Sequence, residues 1–166
     1  LDLGTGSGAL LLALLAEFQH ATGLGIDLSS AACALAQDNA IRNHLASRAT
    51  IQQGRWAEGL RETFDLVVSN PPYIETATIA GLDQEVRAHD PMLALDGGPD
   101  GLTAYREIIA ALPQILAPEG LVVLELGIGQ AQAVSNLAQA HGFQLVGLQS
   151  DLGGVERALA LRWAGA

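Results

Sequence analysis

The feature that most constrains this chain is its opening. Leu1-Asp2-Leu3 reads as the end of a strand and runs into Gly4-Thr5-Gly6-Ser7-Gly8, after which Ala9 to Phe18 carries leucines at helical density. Strand, glycine turn and helix in immediate succession start a βαβ unit, which requires a parallel sheet covered by helices. The glycines let backbone N–H groups approach a ligand closely, and a helix N-terminus favours polar or negative groups. The spacing is GxGxG and not the GxGxxG dinucleotide fingerprint, which points to a nucleoside or amino-acid ligand more than to a cradled phosphate. Leu24-Gly25-Ile26-Asp27-Leu28 reads as a second strand, and Asp27 lies 23 positions after Gly4. At that distance a carboxylate reaches ribose hydroxyls. The same residues also suit an ordinary α/β turn with a helix-capping Asp. Ser29 or Ser30 is placed to cap the helix that follows, through Asn43.

The rest of the chain keeps the alternation. Thr50 to Gln53 is a short third strand, and Trp56 just beyond it is placed either to pack beside a purine or to fill the core edge. Phe64 to Ser69 is a fourth strand. Ile74 to Asp100 shows no sustained periodicity and reads as a partly ordered cover over a substrate site, since a loop of that length in a compact domain is more often functional than idle. Its Glu85, Arg87, His89 and Asp90 are candidate substrate contacts, with a solvated face as the plainer fate of each. Leu102, Tyr105, Ile109, Leu112 and Leu116 recur at helical spacing, with Pro113 marking a kink or a weak last turn. Leu121 to Leu126, Phe143 to Leu148 and Arg157 to Trp163 are further strands, with a helix through Val134, Leu137, Ala138 and His141. The expected class is α/β, a sheet wound on both faces by helices.

At the tip of the fourth strand stands Ser69-Asn70-Pro71-Pro72-Tyr73. Asn70 offers one carbonyl acceptor and two donors. Pro71 restrains Asn70 to extended geometry, and Pro72 does the same to Pro71, so the carbonyls hold fixed directions without competing N–H groups. Tyr73 supplies a flat face on which a planar group can stack. Together they make a clamp for a planar group carrying an –NH2. A Pro-Pro turn with Asn as turn former would use the same residues. The fourth strand of such sheets usually borders the first, which puts clamp and glycine turn on one carboxyl edge, where α/β sheets bind ligands.

Composition removes several classes. The chain has 166 residues, 49% of them hydrophobic, which fits one domain with a sizeable core. It has 18 acidic against 8 basic residues and a net charge of −10. No Lys/Arg cluster stands out, so direct nucleic-acid binding by this domain is not expected. An acidic surface suits a cationic ligand or a basic protein partner. A single cysteine, Cys33, excludes an intrachain disulfide and a multi-cysteine zinc site. His20, His44, His89 and His141 are scattered without metal-ligand spacing, and no metal site is expected. No Ser-His-acid arrangement stands out. No apolar run reaches membrane-spanning length. The chain opens without Met, in what reads as a strand end, and is expected to be a piece of something longer, its first strand clipped.

Taken together, Leu-Asp-Leu-Gly-Thr-Gly-Ser-Gly, Asp27 and Asn-Pro-Pro-Tyr resemble class I S-adenosylmethionine-dependent methyltransferases that modify planar nitrogens. Beyond the clamp, Glu85-Val86-Arg87, Asp90-Pro91, Ala94-Leu95, Asp96-Gly97-Gly98, Asp100-Gly101-Leu102 and Tyr105-Arg106 are similar to the HemK/PrmC family. Asp151-Leu152-Gly153-Gly154 with Arg157 is similar too. The resemblance spans essentially the whole chain. It implies a Rossmann-like sheet of seven strands with the last one antiparallel, and an N-terminal helical substrate-binding domain outside this chain. It implies methylation of the side-chain amide of the glutamine in the Gly-Gly-Gln motif of peptide-chain release factors, by a cytoplasmic, monomeric enzyme. Carried over by position, Gly4, Thr5, Gly6, Ser7, Gly8, Asp27, Trp56 and Asn70 would touch the cofactor, S-adenosylmethionine or its product S-adenosylhomocysteine. Asn70, Pro71, Pro72 and Tyr73 would hold the glutamine, with Asn70, Pro71 and Tyr73 as the catalytic set. One departure is Arg55, where the family often has an acid, which leaves open that acid's contact to the adenine amine. Two rivals remain at this level: the same chemistry on an exocyclic base amine of rRNA or DNA, or on a ribosomal-protein glutamine, and a non-enzymatic module that binds a nucleoside and recognises a protein.

Overall fold

The structure, a computed structural model, describes residues 1–81 and 92–165. The opening βαβ unit is built as β1 (Asp2–Leu3), α1 (Ala9–Glu17) and β2 (Gly23–Asp27), followed by α2 (Ser30–Arg42), β3 (Ala49–Gln53) and β4 (Phe64–Ser69). Short helices α3 (Thr76–Ile79) and α4 (Met92–Leu95) precede α5 (Thr103–Ile115), β5 (Leu116–Glu125), α6 (Ala131–Ala140), β6 (Phe143–Ser150) and β7 (Glu156–Trp163). The seven strands form one sheet in the order β3-β2-β1-β4-β5-β7-β6. Pairings from β3 through β5 are parallel, and β7 runs antiparallel to both β5 and β6. The sheet is therefore mostly parallel with an antiparallel last strand, as the resemblance implied, and that strand is inserted between β5 and β6.

Local chemistry accounts for the element ends. The Ser29 hydroxyl accepts the Ala32 N–H at 3.3 Å and caps α2, satisfying one donor that a helix start leaves orphaned. Pro113 sits two residues before the end of α5, so the helix bond lost with its N–H falls in the last turn. β5 begins earlier than the apolar run Leu121 to Leu126 suggested. Leu116 already pairs with Phe64, then the register jumps so that Leu121 pairs with Leu66, and Ala117 to Gly120 bulge between them. Within Ile74 to Asp100 the structure also departs from a continuous loop. Ile74 bridges Asp96, and α3 and α4 flank that bridge. Glu85, Arg87, His89 and Asp90 lie outside the described residues.

Apolar burial falls on both faces of the sheet. Ile26, Val67, Val122, Leu124, Leu159 and Leu161 join α5 (Tyr105, Ile108, Ile109, Leu112) and α6 (Val134, Ala138) in the larger core. Gly25, next to Ile26, points the other way, where α1 and β3 close in. A Cβ at Gly25 would lie 2.9 Å from the Thr5 hydroxyl and 3.1 Å from both Ile51 and Leu11 side-chain carbons. That face carries the smaller core of Leu11, Leu12, Leu15, Ala40, Leu45 and Ala49. Among the described residues no helix is long and apolar enough to cross a membrane, and no cluster of three or more His, Cys, Asp or Glu side chains is placed to hold a metal.

The close packing at Gly25 generates a test. Gly25→Val overfills the α1–β2 contact and is expected to destabilise the protein by about 1–3 kcal/mol. Gln52→Val, on the exposed face of edge strand β3, is expected to stay within about 0.5 kcal/mol. Urea unfolding midpoints of the two variants measure the difference.

Candidate active site

The site begins at the tips of β1 and β4. The two strands pair in parallel with Asp2 opposite Val68 and Leu3 opposite Ser69. The buried Ser69 hydroxyl donates to the Leu3 carbonyl at 2.6 Å. Gly4 and Asn70, the next residue on each strand, therefore leave the sheet side by side. The glycine turn and the proline clamp share one edge because of that register.

Backbone bonds set the turn. The Gly4 and Thr5 N–H groups both donate to the Ile26 carbonyl, at 2.8 and 2.9 Å. The Gly6 N–H donates to Asp27 Oδ2 at 2.8 Å, and the Ser29 N–H to Asp27 Oδ1 at 2.9 Å. Asp27 thus stands at the end of β2 against the turn, and it also ties the turn to the start of α2. Two of its roughly four acceptor positions are used, so each oxygen keeps capacity for a ligand hydroxyl. Gly4, Gly6 and Gly8 have φ of 75, 55 and 79°, a region that glycine enters without steric cost. A Cβ on Gly6 would meet nothing within 4 Å; the backbone there is open to a ligand. The Ser7 carbonyl accepts from Asn39 on α2 at 2.9 Å.

Asp2 is a site residue that motif reading passed over, although it stands only two positions before Gly4. It is 1% exposed, and its Oδ2 accepts the Thr5 hydroxyl at 2.7 Å. Burial pushes its carboxyl above the ordinary value, while the Thr5 hydrogen bond pulls the other way. Its work is to hold Thr5, and so the turn, from beneath.

The clamp divides into a free part and a fixed part. Asn70 is exposed, and its side-chain amide bonds to none of the described residues. Pro71 is buried, while Pro72 and Tyr73 are half-buried. Tyr73 is gripped on its backbone. Gln130 Nε2, at the start of α6, donates to the Tyr73 carbonyl at 2.9 Å and to the Gly101 carbonyl at 3.3 Å, while Gln130 Oε1 accepts the Gly127 N–H at 3.0 Å. Glycines surround the same residue. A Cβ on Gly97 would come within 2.8 Å of Tyr73 Cα, one on Gly101 within 2.5 Å of its carbonyl oxygen, and one on Gly127 within 2.9 Å of its ring. The turn carrying Gly97 and Gly101 is closed by carboxylates. Asp96 accepts the Thr76 hydroxyl at 2.6 Å and the Gly98 N–H at 2.9 Å. Arg106 pairs with Asp100 and holds its carboxyl down at about 2. Burial, and next the charge of Glu125, raise the Tyr73 hydroxyl above its ordinary value.

Trp56 lies at the same edge. A Cβ on Gly4 would approach its ring to 3.3 Å, and the ring also packs against the larger core. Its indole N–H donates to Glu107 Oε2 at 2.7 Å, and Glu107 pairs with Arg55 as well. Of the two placements open to Trp56 in the sequence, the core edge is the one observed, with the ring standing beside Gly4. The structure brings together the glycine turn, Asp27, Trp56 and the clamp. It adds Asp2, Gln130 and Glu107, the last two from distant parts of the chain with no local signal.

The methyltransferase small domain model matches residues 1–89. A release factor glutamine methyltransferase of Caulobacter vibrioides is 54% identical over 153 residues, covering 92% of this chain and 53% of that protein. The one of Agrobacterium fabrum is 49% identical over 162 residues, covering 98% of this chain and 56% of that protein. This chain spans just over half the length of the relatives it matches. Among solved structures, a methyltransferase from Pyrococcus furiosus superposes with TM-score 0.72 at 18% identity, over 99% of this chain and 74% of that one. The glycopeptide N-methyltransferase MtfA complexed with S-adenosylmethionine does so with TM-score 0.68 at 14% identity, over 98% and 85%. Those two likenesses are of fold, the class I methyltransferase sheet. With a family model matched over more than half its length, the chain belongs to the methyltransferase small domain family.

Proposed function

We propose that this chain is the catalytic domain of an S-adenosylmethionine-dependent enzyme that methylates the side-chain amide nitrogen of a glutamine, the Gly-Gly-Gln glutamine of peptide-chain release factors, and that a substrate-docking domain belongs to the same protein. The observation that carries the reading is the side-by-side exit of Gly4 and Asn70 from paired strand tips, with the Asn70 amide exposed and bonded to none of the described residues. Similarity to release factor glutamine methyltransferases over nearly the whole chain supports the choice of substrate.

The residues fit the cofactor. Open backbone at Gly6, spare acceptor capacity on Asp27 and an indole beside Gly4 suit a nucleoside with an amino-acid tail. When bound, S-adenosylmethionine supplies an electrophilic methyl group on a sulfonium. The Asp27 carboxylate accepts from the ribose hydroxyls, and Trp56 packs against the apolar part of the nucleoside. An amide nitrogen is a poor nucleophile because its lone pair is delocalised into the carbonyl. Asn70 Oδ1 and the Pro71 carbonyl each accept one substrate N–H, which aims the nitrogen lone pair and stabilises positive charge growing there. Tyr73 stacks on the planar amide. No dedicated base is required, since an N-alkylated amide cation gives up its proton readily.

Incubation of the full-length protein with S-adenosylmethionine and a release factor carrying Gly-Gly-Gln is expected to add one methyl group to the glutamine peptide, read by mass spectrometry. Methyl transfer to an rRNA or DNA base instead, or to no glutamine at all, would overturn the substrate reading.

Two substitutions probe the roles. Asp27→Ala is expected to weaken S-adenosylhomocysteine binding by about 1.5–3 kcal/mol in titration calorimetry, as for a charged hydrogen bond. It also lowers the melting temperature, because the same carboxylate holds Gly6 and Ser29. Asn70→Ala removes an exposed side chain, so stability is expected to move by no more than about 0.5 kcal/mol. Its kcat is expected to fall roughly 10²–10³-fold, as when one transition-state hydrogen-bond partner is removed. Asn70→Ala turning over at the parent rate would remove the clamp from the mechanism.

A further inference from the structure

Trp56 stands in a backbone conformation that its side chain does not favour. Its φ is 46°, and among the described non-glycine residues only His44 shares a positive φ. A bulky residue in the left-handed region is uncommon and persists only where its surroundings over-determine it. The surroundings here are explicit. The indole N–H donates to Glu107 Oε2 at 2.7 Å across 51 residues of chain. Arg55 Nη2 donates to Glu107 Oε1 and Oε2 at 2.8 Å each, and Arg55 Nε to Oε2 at 3.2 Å. One carboxylate on α5 therefore grips two successive residues of the loop after β3.

Stability does not account for this arrangement. Arg55 and Glu107 side chains are 50% and 34% exposed, and an ion pair so open to solvent contributes little to folding. What the grip does fix is direction. A guanidinium fork holds a carboxylate in a defined plane, and the indole N–H donates to the Oε2 held there. The ring stands against Gly4, the first glycine of the ligand turn.

Resting on the function proposed above, we infer that Glu107 is a positioning residue for the cofactor site. Acting through Trp56, it sets the indole as a wall beside the nucleoside, with Arg55 orienting the carboxylate from its other side. Arg55 thus faces away from the ligand, toward α5. The wall is held from the helix behind it, and Arg55 serves it through Glu107.

The experiment uses a Trp163→Phe background, which leaves Trp56 as the sole tryptophan. In that background Glu107→Ala is expected to shift the emission spectrum of Trp56 and to raise the Kd for S-adenosylhomocysteine about tenfold, the low end for loss of a charge-assisted hydrogen bond. Glu107→Gln keeps an acceptor for the indole, and is expected to restore most of the affinity and the parent emission. Melting temperatures close to the parent's establish that both variants are folded. Unchanged emission in Glu107→Ala, unchanged affinity despite shifted emission, or a Gln variant as impaired as the Ala variant would each overturn the inference. A parent protein that fails to bind S-adenosylhomocysteine overturns the proposed function, and with it the wall. A parent that binds, with indifferent variants, overturns the role of Glu107 alone.

Discussion

The site depends on one contact between two strands, the hydrogen bond from the Ser69 hydroxyl to the Leu3 carbonyl at the tips of β4 and β1. Parallel pairing alone fixes which residues lie opposite each other. The buried hydroxyl fixes how far the two tips travel together before they diverge. Side chains alternate in direction along a strand, so a one-residue slip would turn every side chain of β4 to the opposite face. Val67 would leave the core, and Asn70 would no longer stand beside Gly4. The chemistry proposed for the clamp is therefore only as well placed as that register.

Around this contact the molecule separates what must be rigid from what must stay available. Tyr73 is held through its carbonyl by Gln130 and crowded by Gly97, Gly101 and Gly127, yet the Asn70 side chain, three residues earlier, bonds to none of the described residues. The carboxylates divide in the same way. Asp2, Asp96 and Asp100 act inward on backbone and neighbouring side chains, whereas Asp27 holds the turn and keeps acceptor capacity toward the ligand. Preorganisation of this kind means that little has to reorder when charge develops at the reacting nitrogen.

Much of this was readable in the chain because its causes are local. The glycine turn, the Ser29 cap, the apolar run Phe64 to Ser69 and the prolines after Asn70 act on their own neighbours, and each appears where the sequence put it. The antiparallel last strand followed from family resemblance and not from periodicity, which carries no direction. Four-residue helices such as α3 and α4 complete barely one turn, too short for a helical period to show. The early start of β5 was hidden by a bulge, which breaks apolar alternation. Gln130 and Glu107 were illegible for a different reason. Each works on residues more than fifty positions away, 57 in one case and 51 in the other, and nothing in their immediate neighbours marks them. Trp56 carried no glycine or asparagine signal for its positive φ, and the partner of its side chain lies 51 residues away.

The register at Leu3 has a kinetic side. β1 has two residues and lies inside the sheet, between β2 and β4, and its partner in β4 is 66 residues away. Closing such a contact means losing loop entropy before much is gained, and folds dominated by non-local pairings mature slowly. The centre of this sheet, and the ligand edge with it, cannot precede the arrival of β4. The hairpin of β6 and β7, joined by a short turn at the far side, faces no such delay. Binding competence thus waits on the pairing of β1 with β4, and a ligand that bridges Gly4 and Asn70 is expected to slow the unfolding of the sheet from that pair.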